Sequence, residues 1–215
     1  MEQKEEQAFD KLGPDGYGSG MEWIIALLIG YALGSIPFGL ILTRLTGGGD
    51  LRAVGSGNIG ATNVLRTGRK GLAAATLLLD MAKGLAAVLI AERWLPGAIQ
   101  FAAAGALLGH CFPVWLRFKG GKGVATLMGV SLGLAWPIAA TYALTWIALL
   151  LVTRISSLAG MTAAVAAPVA ALATGNGEYA PVLAGLALVV VFLHRANLAR
   201  LRAGTEPTIG GSKRA

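Results

Sequence analysis

The chain reads as an all-α integral membrane protein, a seven-helix transmembrane bundle with its N-terminus outside and its C-terminus inside. Three observations predict this. Hydrophobic residues make up 55% of the sequence and charged residues 13%, against about a quarter charged in an ordinary soluble domain. The apolar residues come in runs of roughly 15 to 25, the length a helix needs to cross about 30 Å of hydrocarbon. The cations then fall almost entirely on one side of those runs. Backbone polar groups in lipid must be satisfied within the segment, so the spans are expected as helices.

Taken in order, residues 1–20 form a charged extension with Gly and Pro and no apolar periodicity. They are expected to be disordered. No apolar core precedes a small-residue cleavage site, so they do not read as a signal peptide. Met21, directly before the first run, is the alternative start. The bundle is placed over 21–202, and 203–215 is read as a basic cytoplasmic tail. Spans are expected at about 22–44, 70–92, 97–115, 123–136, 137–154, 156–174 and 178–195. The fourth is short and ends near Trp136-Pro137.

With these spans, one side carries Arg44, Arg52, Arg66, Arg69, Lys70, Arg117, Lys119, Lys122, Arg154, Arg195, Arg200, Arg202, Lys213 and Arg214. The other carries Arg93, with Lys4 and Lys11 in the extension. The positive-inside rule assigns the first set to the cytoplasm. The net charge of +7 then favours anionic headgroups and anionic substrates. Nucleic acid is not expected as a partner, because no aromatic-basic platform accompanies the charge. The single cysteine, Cys111, excludes an internal disulfide and a cysteine-based structural zinc site. Gly30/Gly34, Gly105/Gly109 and Gly129/Gly133 read as small-residue packing faces. No internal repeat is visible, which weakens a transporter reading.

The polar segment GSGNIGATNVLR, 55–66, matches G-x-G-x-x-G. A dinucleotide fingerprint needs a strand before the glycines and an acid about 20 residues on. Asp80 has the spacing but lies inside the second apolar run, and no strand precedes Gly55. What survives is a glycine-freed backbone suited to an anion. Gly55, Gly57 and Gly60 loosen it, and Ser56, Asn58, Thr62 and Asn63 add neutral donors. Arg66 adds a planar fork for phosphate oxygens. The plain alternative is a flexible linker.

Three further polar clusters share this face. Lys119-Gly-Gly-Lys122-Gly repeats the glycine-cation pattern ahead of the fourth helix, or serves only as a membrane anchor. Ser156-Ser157 follows Arg154, and His194-Arg195-Ala196-Asn197 ends the seventh span. His110 closes the third span and by itself reads as a structural histidine. Asp80 and Lys83 stand at i, i+3 on one helix face, either as a buried pair or as a wall of the site.

These segments together resemble the bacterial membrane glycerol-3-phosphate acyltransferases that use acyl phosphate as donor. The resemblance rests on GSIPFG at 34–39, D-L-R-x-x-G-S-G-N-x-G-A-T-N-V-x-R at 50–66 and L-D-x-x-K-G at 79–84. It continues in G-H-x-F-P at 109–113, F-K-G-G-K-G-V-A-T at 118–126, R-x-x-S-L-A at 154–159 and H-R-x-N at 194–197. It departs over the first twenty residues and after about Arg202. It implies a seven-span bundle in the bacterial cytoplasmic (inner) membrane, with the active site facing the cytoplasm. It implies acyl transfer from acyl phosphate to sn-glycerol 3-phosphate, giving lysophosphatidic acid and phosphate. No metal or other cofactor is implied. The implied partners are the two substrates, membrane lipid and a soluble enzyme that supplies acyl phosphate.

The residues agree with that chemistry. An acyl phosphate is an activated mixed anhydride, so no protein nucleophile is required. No G-x-S-x-G elbow is present, and no H-x-x-x-x-D follows either histidine. Ser56, Arg66, Ser157 and His194 are the expected catalytic residues. Gly55, Gly57, Asn58, Gly60, Thr62, Asn63, His110, Lys119, Lys122 and Asn197 are the expected substrate-binding residues.

Overall fold

The computed structural model describes residues 20–210. The expected disordered extension, apart from Gly20, and the last five residues lie outside them. Among the described residues every regular element is helical. The helices are α1 (Gly20–Gly34), α2 (Phe38–Leu45), α3 (Ala61–Leu65), α4 (Lys70–Trp94), α5 (Ile99–Cys111), α6 (Val124–Leu134), α7 (Trp136–Thr153), α8 (Ser156–Ala173), α9 (Ala180–Leu193) and α10 (Arg195–Arg202).

Five segments are long and apolar enough to cross a bilayer: Gly20–Leu45, Lys70–Trp94, Pro96–Leu116, Trp136–Thr153 and Ser156–Ala173. A sixth arises when α9 and α10 are joined across their 60° bend. The chain is therefore a multi-pass membrane protein. The expected fourth span corresponds to α6, which has 11 residues, about 16 Å of helix, and is shorter than the other apolar segments. Gly123, whose φ is +84°, caps its start, and the extended Ala135 caps its end before Trp136-Pro137.

Lipid-facing positions carry large apolar side chains, such as Leu28, Leu78, Leu144, Leu151 and Leu188. The interior is made of small residues, with Leu107, Leu127, Ile138, Tyr142, Leu183 and Val190 filling the centre. Without a hydrophobic driving force between helices in lipid, close approach supplies the association. α1 and α5 show it most clearly. A methyl group on Gly30 or Gly34 would overlap the carbonyl of Ala102 or Ala106, and one on Gly105 or Gly109 would overlap that of Leu27 or Tyr31. Likewise, Gly129 abuts the Met81 carbonyl and Gly84 the Thr126 carbonyl, seating α6 on α4. Backbone cannot move aside as a side chain can. Gly34→Ala should therefore cost about 1–3 kcal/mol and lower the melting temperature in detergent. Gly185→Ala, where a methyl meets nothing within 4 Å, should leave it nearly unchanged.

Pro37 breaks the first span between α1 and α2. A break inside a membrane frees carbonyls that must find donors. Trp115 Nε1 donates to the Ser35 carbonyl at 3.0 Å. Lys83 Nζ donates to the Ile36 carbonyl at 2.8 Å and pairs with Asp80 Oδ1 at 2.7 Å. Lys83 is thus committed to structure, while Asp80 shows its other side to the cavity described next.

Candidate active site

A cavity of about 750 Å³ lies where four polar segments meet. The 54–66 loop and α3 form one wall. The start of α6 with Lys122, the start of α8 with Ser156 and Ser157, and the α9–α10 bend with His194 and Asn197 form the others. Leu77, Val124 and Trp146 give it an apolar side. Of the fourteen residues expected from sequence, twelve line this cavity: Gly55, Ser56, Asn58, Gly60, Thr62, Asn63, Arg66, His110, Lys122, Ser157, His194 and Asn197. Two do not. Gly57 is exposed, and its N–H closes the turn on the Val54 carbonyl. Lys119 is exposed and lies outside the cavity lining, just after the left-handed residues Arg117 and Phe118.

The 50–66 loop is held by its own side chains. Asp50 accepts from the Arg52 backbone N–H and guanidinium, which hold its carboxyl well below the usual carboxylate range. Asn63 is the clasp. Its Nδ2 donates to the carbonyls of Leu51, Val54 and Asn58 at 2.8–3.1 Å, and its Oδ1 accepts from the Ser56 N–H at 3.0 Å. Asn58 Oδ1 accepts from the Gly60 N–H. Two amides expected to face an anion are therefore spent on the loop, and Asn63 shapes the wall instead of offering donors. Gly55 has φ +55°, and a methyl there would stand 2.5 Å from Asn63 Oδ1 and 3.2 Å from Arg66 Cδ. Glycine lets the Arg66 stem pack on the loop. Its guanidinium has no hydrogen-bond or ion-pair partner among the described residues.

Across the cavity, Lys122 Nζ donates to Asn197 Oδ1. Burial lowers the Lys122 ammonium below the ordinary lysine range, and nearby Arg200, Arg66 and Arg195 lower it further against the pull of Glu206. His194 is buried, and its Nδ1 lies 2.7 Å from the Val190 carbonyl. In the neutral ring Nδ1 carries the proton and Nε2 a lone pair. Ser156 Oγ reaches Thr62 Oγ1 at 3.4 Å and joins two walls.

Sequence reasoning missed Arg200 and Glu206. The segment after α10, read as an outlying basic tail, lines the cavity through Glu206–Gly210. The Ile209 N–H pins it to the Arg154 carbonyl. The legible signal was a glycine, Gly204, just past an Arg-rich helix, which marks a reversal of the chain.

The arrangement joins two cations without an ion-pair partner among the described residues, Arg66 and Lys122, and a third, Arg200, paired with Glu206, to neutral hydrogen-bonding groups beside an apolar wall. It suits a phosphorylated substrate with a hydrocarbon part. The glycerol-3-phosphate acyltransferase family pattern matches residues 24–204. A glycerol-3-phosphate acyltransferase of Novosphingobium aromaticivorans is 71% identical over 194 residues, 90% of this chain and 98% of that protein. One of Erythrobacter litoralis is 59% identical over 186 residues, 86% and 94% respectively. The crystal structure of PlsY, an integral membrane glycerol 3-phosphate acyltransferase, in its glycerol 3-phosphate form, superposes with a TM-score of 0.82. It is 36% identical and covers 87% of this chain and 95% of that one. Its lysophosphatidic acid form gives 0.80 at 34% identity, covering 86% and 94%. This chain belongs to the glycerol-3-phosphate acyltransferase family.

Proposed function

We propose that this chain transfers a fatty acyl group from acyl phosphate to sn-glycerol 3-phosphate, the first acylation of phospholipid synthesis. The products are 1-acyl-sn-glycerol 3-phosphate and inorganic phosphate. The observation that carries the reading is the convergence of Arg66, Lys122 and Arg200 on one cavity with an apolar side. Both proposed substrates bring phosphate, and one also brings a hydrocarbon chain.

In this account the glycerol hydroxyl oxygen attacks the acyl carbonyl carbon. The bond from that carbon to the phosphate oxygen breaks, and phosphate leaves with the electron pair. Arg66 neutralises the charge growing on it, beside Ser56 and Thr62. Lys122, His194 and Asn197 hold glycerol 3-phosphate, with Ser157 near the reacting groups. The enzyme works by positioning and charge stabilisation. The hydroxyl proton passes to a substrate phosphate, whose second pKa is about 6. The acyl tail leaves the cavity past Leu77, Val124 and Trp146 toward lipid. A seven-span, N-out and C-in arrangement in the inner membrane opens the cavity to the cytoplasm. There a soluble enzyme supplies acyl phosphate.

His194→Gln tests the proton route. With a substrate phosphate as base, the variant should mainly raise KM for glycerol 3-phosphate, with kcat within about tenfold of wild type. Near-complete loss of kcat with glycerol 3-phosphate binding retained would make His194 the base.

A further inference from the structure

The cavity holds a carboxylate from a segment that sequence reading placed outside the bundle. α10 ends in a reversal: the Gly204 N–H donates to the Leu201 carbonyl and the Thr205 N–H to the Arg200 carbonyl, with Gly204 at φ +68°. These are the two bonds of a Schellman stop. The chain doubles back, and Glu206 enters the cavity with its side chain 4% exposed.

Its carboxylate is fully engaged. Oε1 accepts from Ser157 Oγ at 2.6 Å and from Asn197 Nδ2 at 2.5 Å. Oε2 accepts from Arg200 Nε at 2.7 Å. Burial pushes the carboxyl up, but these three donors outweigh it and keep Glu206 ionised. The consequences pass to its neighbours. Because Asn197 Nδ2 faces the carboxylate, Asn197 Oδ1 faces Lys122. The amide cannot be exchanged end for end, since a carboxylate needs a donor and an ammonium an acceptor. The Ser157 proton is likewise committed to Glu206, so Ser157 offers the cavity lone pairs.

We infer that Glu206 is a positioning residue for acyl transfer: it fixes the orientation of Ser157 and Asn197 and, through Asn197, of Lys122. This rests on the reading of the cavity as the glycerol 3-phosphate site. Glu206 makes no hydrogen bond or ion pair with Lys122 or Arg66, and among the described residues the remaining Lys122 donors have no acceptor. The strap completes the site instead of blocking it.

The test compares Glu206→Gln with Glu206→Asp in the full chain in detergent, with palmitoyl phosphate saturating and glycerol 3-phosphate varied. Glutamine keeps an oxygen at the Oε1 position and loses the charge. Aspartate keeps the charge and withdraws it by one methylene. Positioning predicts that glutamine lowers kcat about fivefold and aspartate about 100-fold, the cost of a misplacement near 1 Å. Glu206→Ala should match aspartate. Equal losses, or aspartate above glutamine, would assign the effect to charge or proton transfer and overturn the inference. Wild-type turnover in Glu206→Ala, or a lowered KM for glycerol 3-phosphate, would also overturn it, the latter by making the strap a competitor. A silent wild type would overturn the functional reading and this inference with it, whereas an active wild type with the wrong order among variants faults Glu206 alone.

Discussion

Lys122→Met should lower kcat/KM for glycerol 3-phosphate by about 10³-fold while the protein still folds. The ammonium is half-buried, and its protein partner is a neutral amide oxygen, not a carboxylate. Arg66, Arg195 and Arg200 all disfavour its charge. A cation held this way is poorly compensated until an anion arrives. Phosphate binding would supply charge-assisted hydrogen bonds. Removing one partner of such a buried pair costs about 2–5 kcal/mol, roughly 30- to 3000-fold at 1.4 kcal/mol per tenfold. Methionine keeps the length and the apolar stem, so melting should shift little. The lowered pKa has a sign that can be checked. The cationic form is lost at a lower pH than in a free lysine, so kcat/KM should fall with rising pH before the ordinary lysine range is reached. A wild-type KM in Lys122→Met would remove Lys122 from the site.

Arg66→Ala should lower kcat about 10²-fold with a smaller change in KM, as expected for a group whose contact strengthens in the transition state. The guanidinium is exposed to the cavity and makes no hydrogen bond or ion pair among the described residues. Asn63 fixes the loop on which its stem packs. Two parallel N–H bonds to a leaving phosphate are the contact that a lysine cannot reproduce. Arg66→Lys should therefore recover only about a tenth of wild-type kcat. Steady-state kinetics with palmitoyl phosphate would check both variants. Full recovery by lysine would mean that Arg66 supplies charge alone.

Membrane residence and helical character were legible because hydropathy and length follow directly from the bilayer. The site was legible as a set of segments, since glycine, cation and amide residues clustered in loops that the charge pattern placed on one side. Finer features depended on tertiary contacts. Nothing in K-G-G-K distinguishes Lys119 from Lys122, yet Lys119 is exposed and Lys122 lines the cavity. Asn63 read as a donor to substrate because its five backbone and side-chain partners within the loop are set only on folding. The boundary between α6 and α7, expected near Trp136-Pro137, falls at Ala135 in extended conformation. The i, i+3 spacing of Asp80 and Lys83 fits a structural pair and a site wall equally. They divide those roles, with Lys83 filling the break at Pro37 and Asp80 on the cavity. Glu206 escaped notice because a lone acid after a basic helix gives no local sign of its partners.

Acyl phosphate as donor and glycerol 3-phosphate as acceptor can be checked with purified protein in detergent, given palmitoyl phosphate with and without glycerol 3-phosphate. Phosphate should be released only when both are present, with one lysophosphatidic acid formed per phosphate. No release with palmitoyl phosphate, but turnover with an acyl thioester, would assign a different donor.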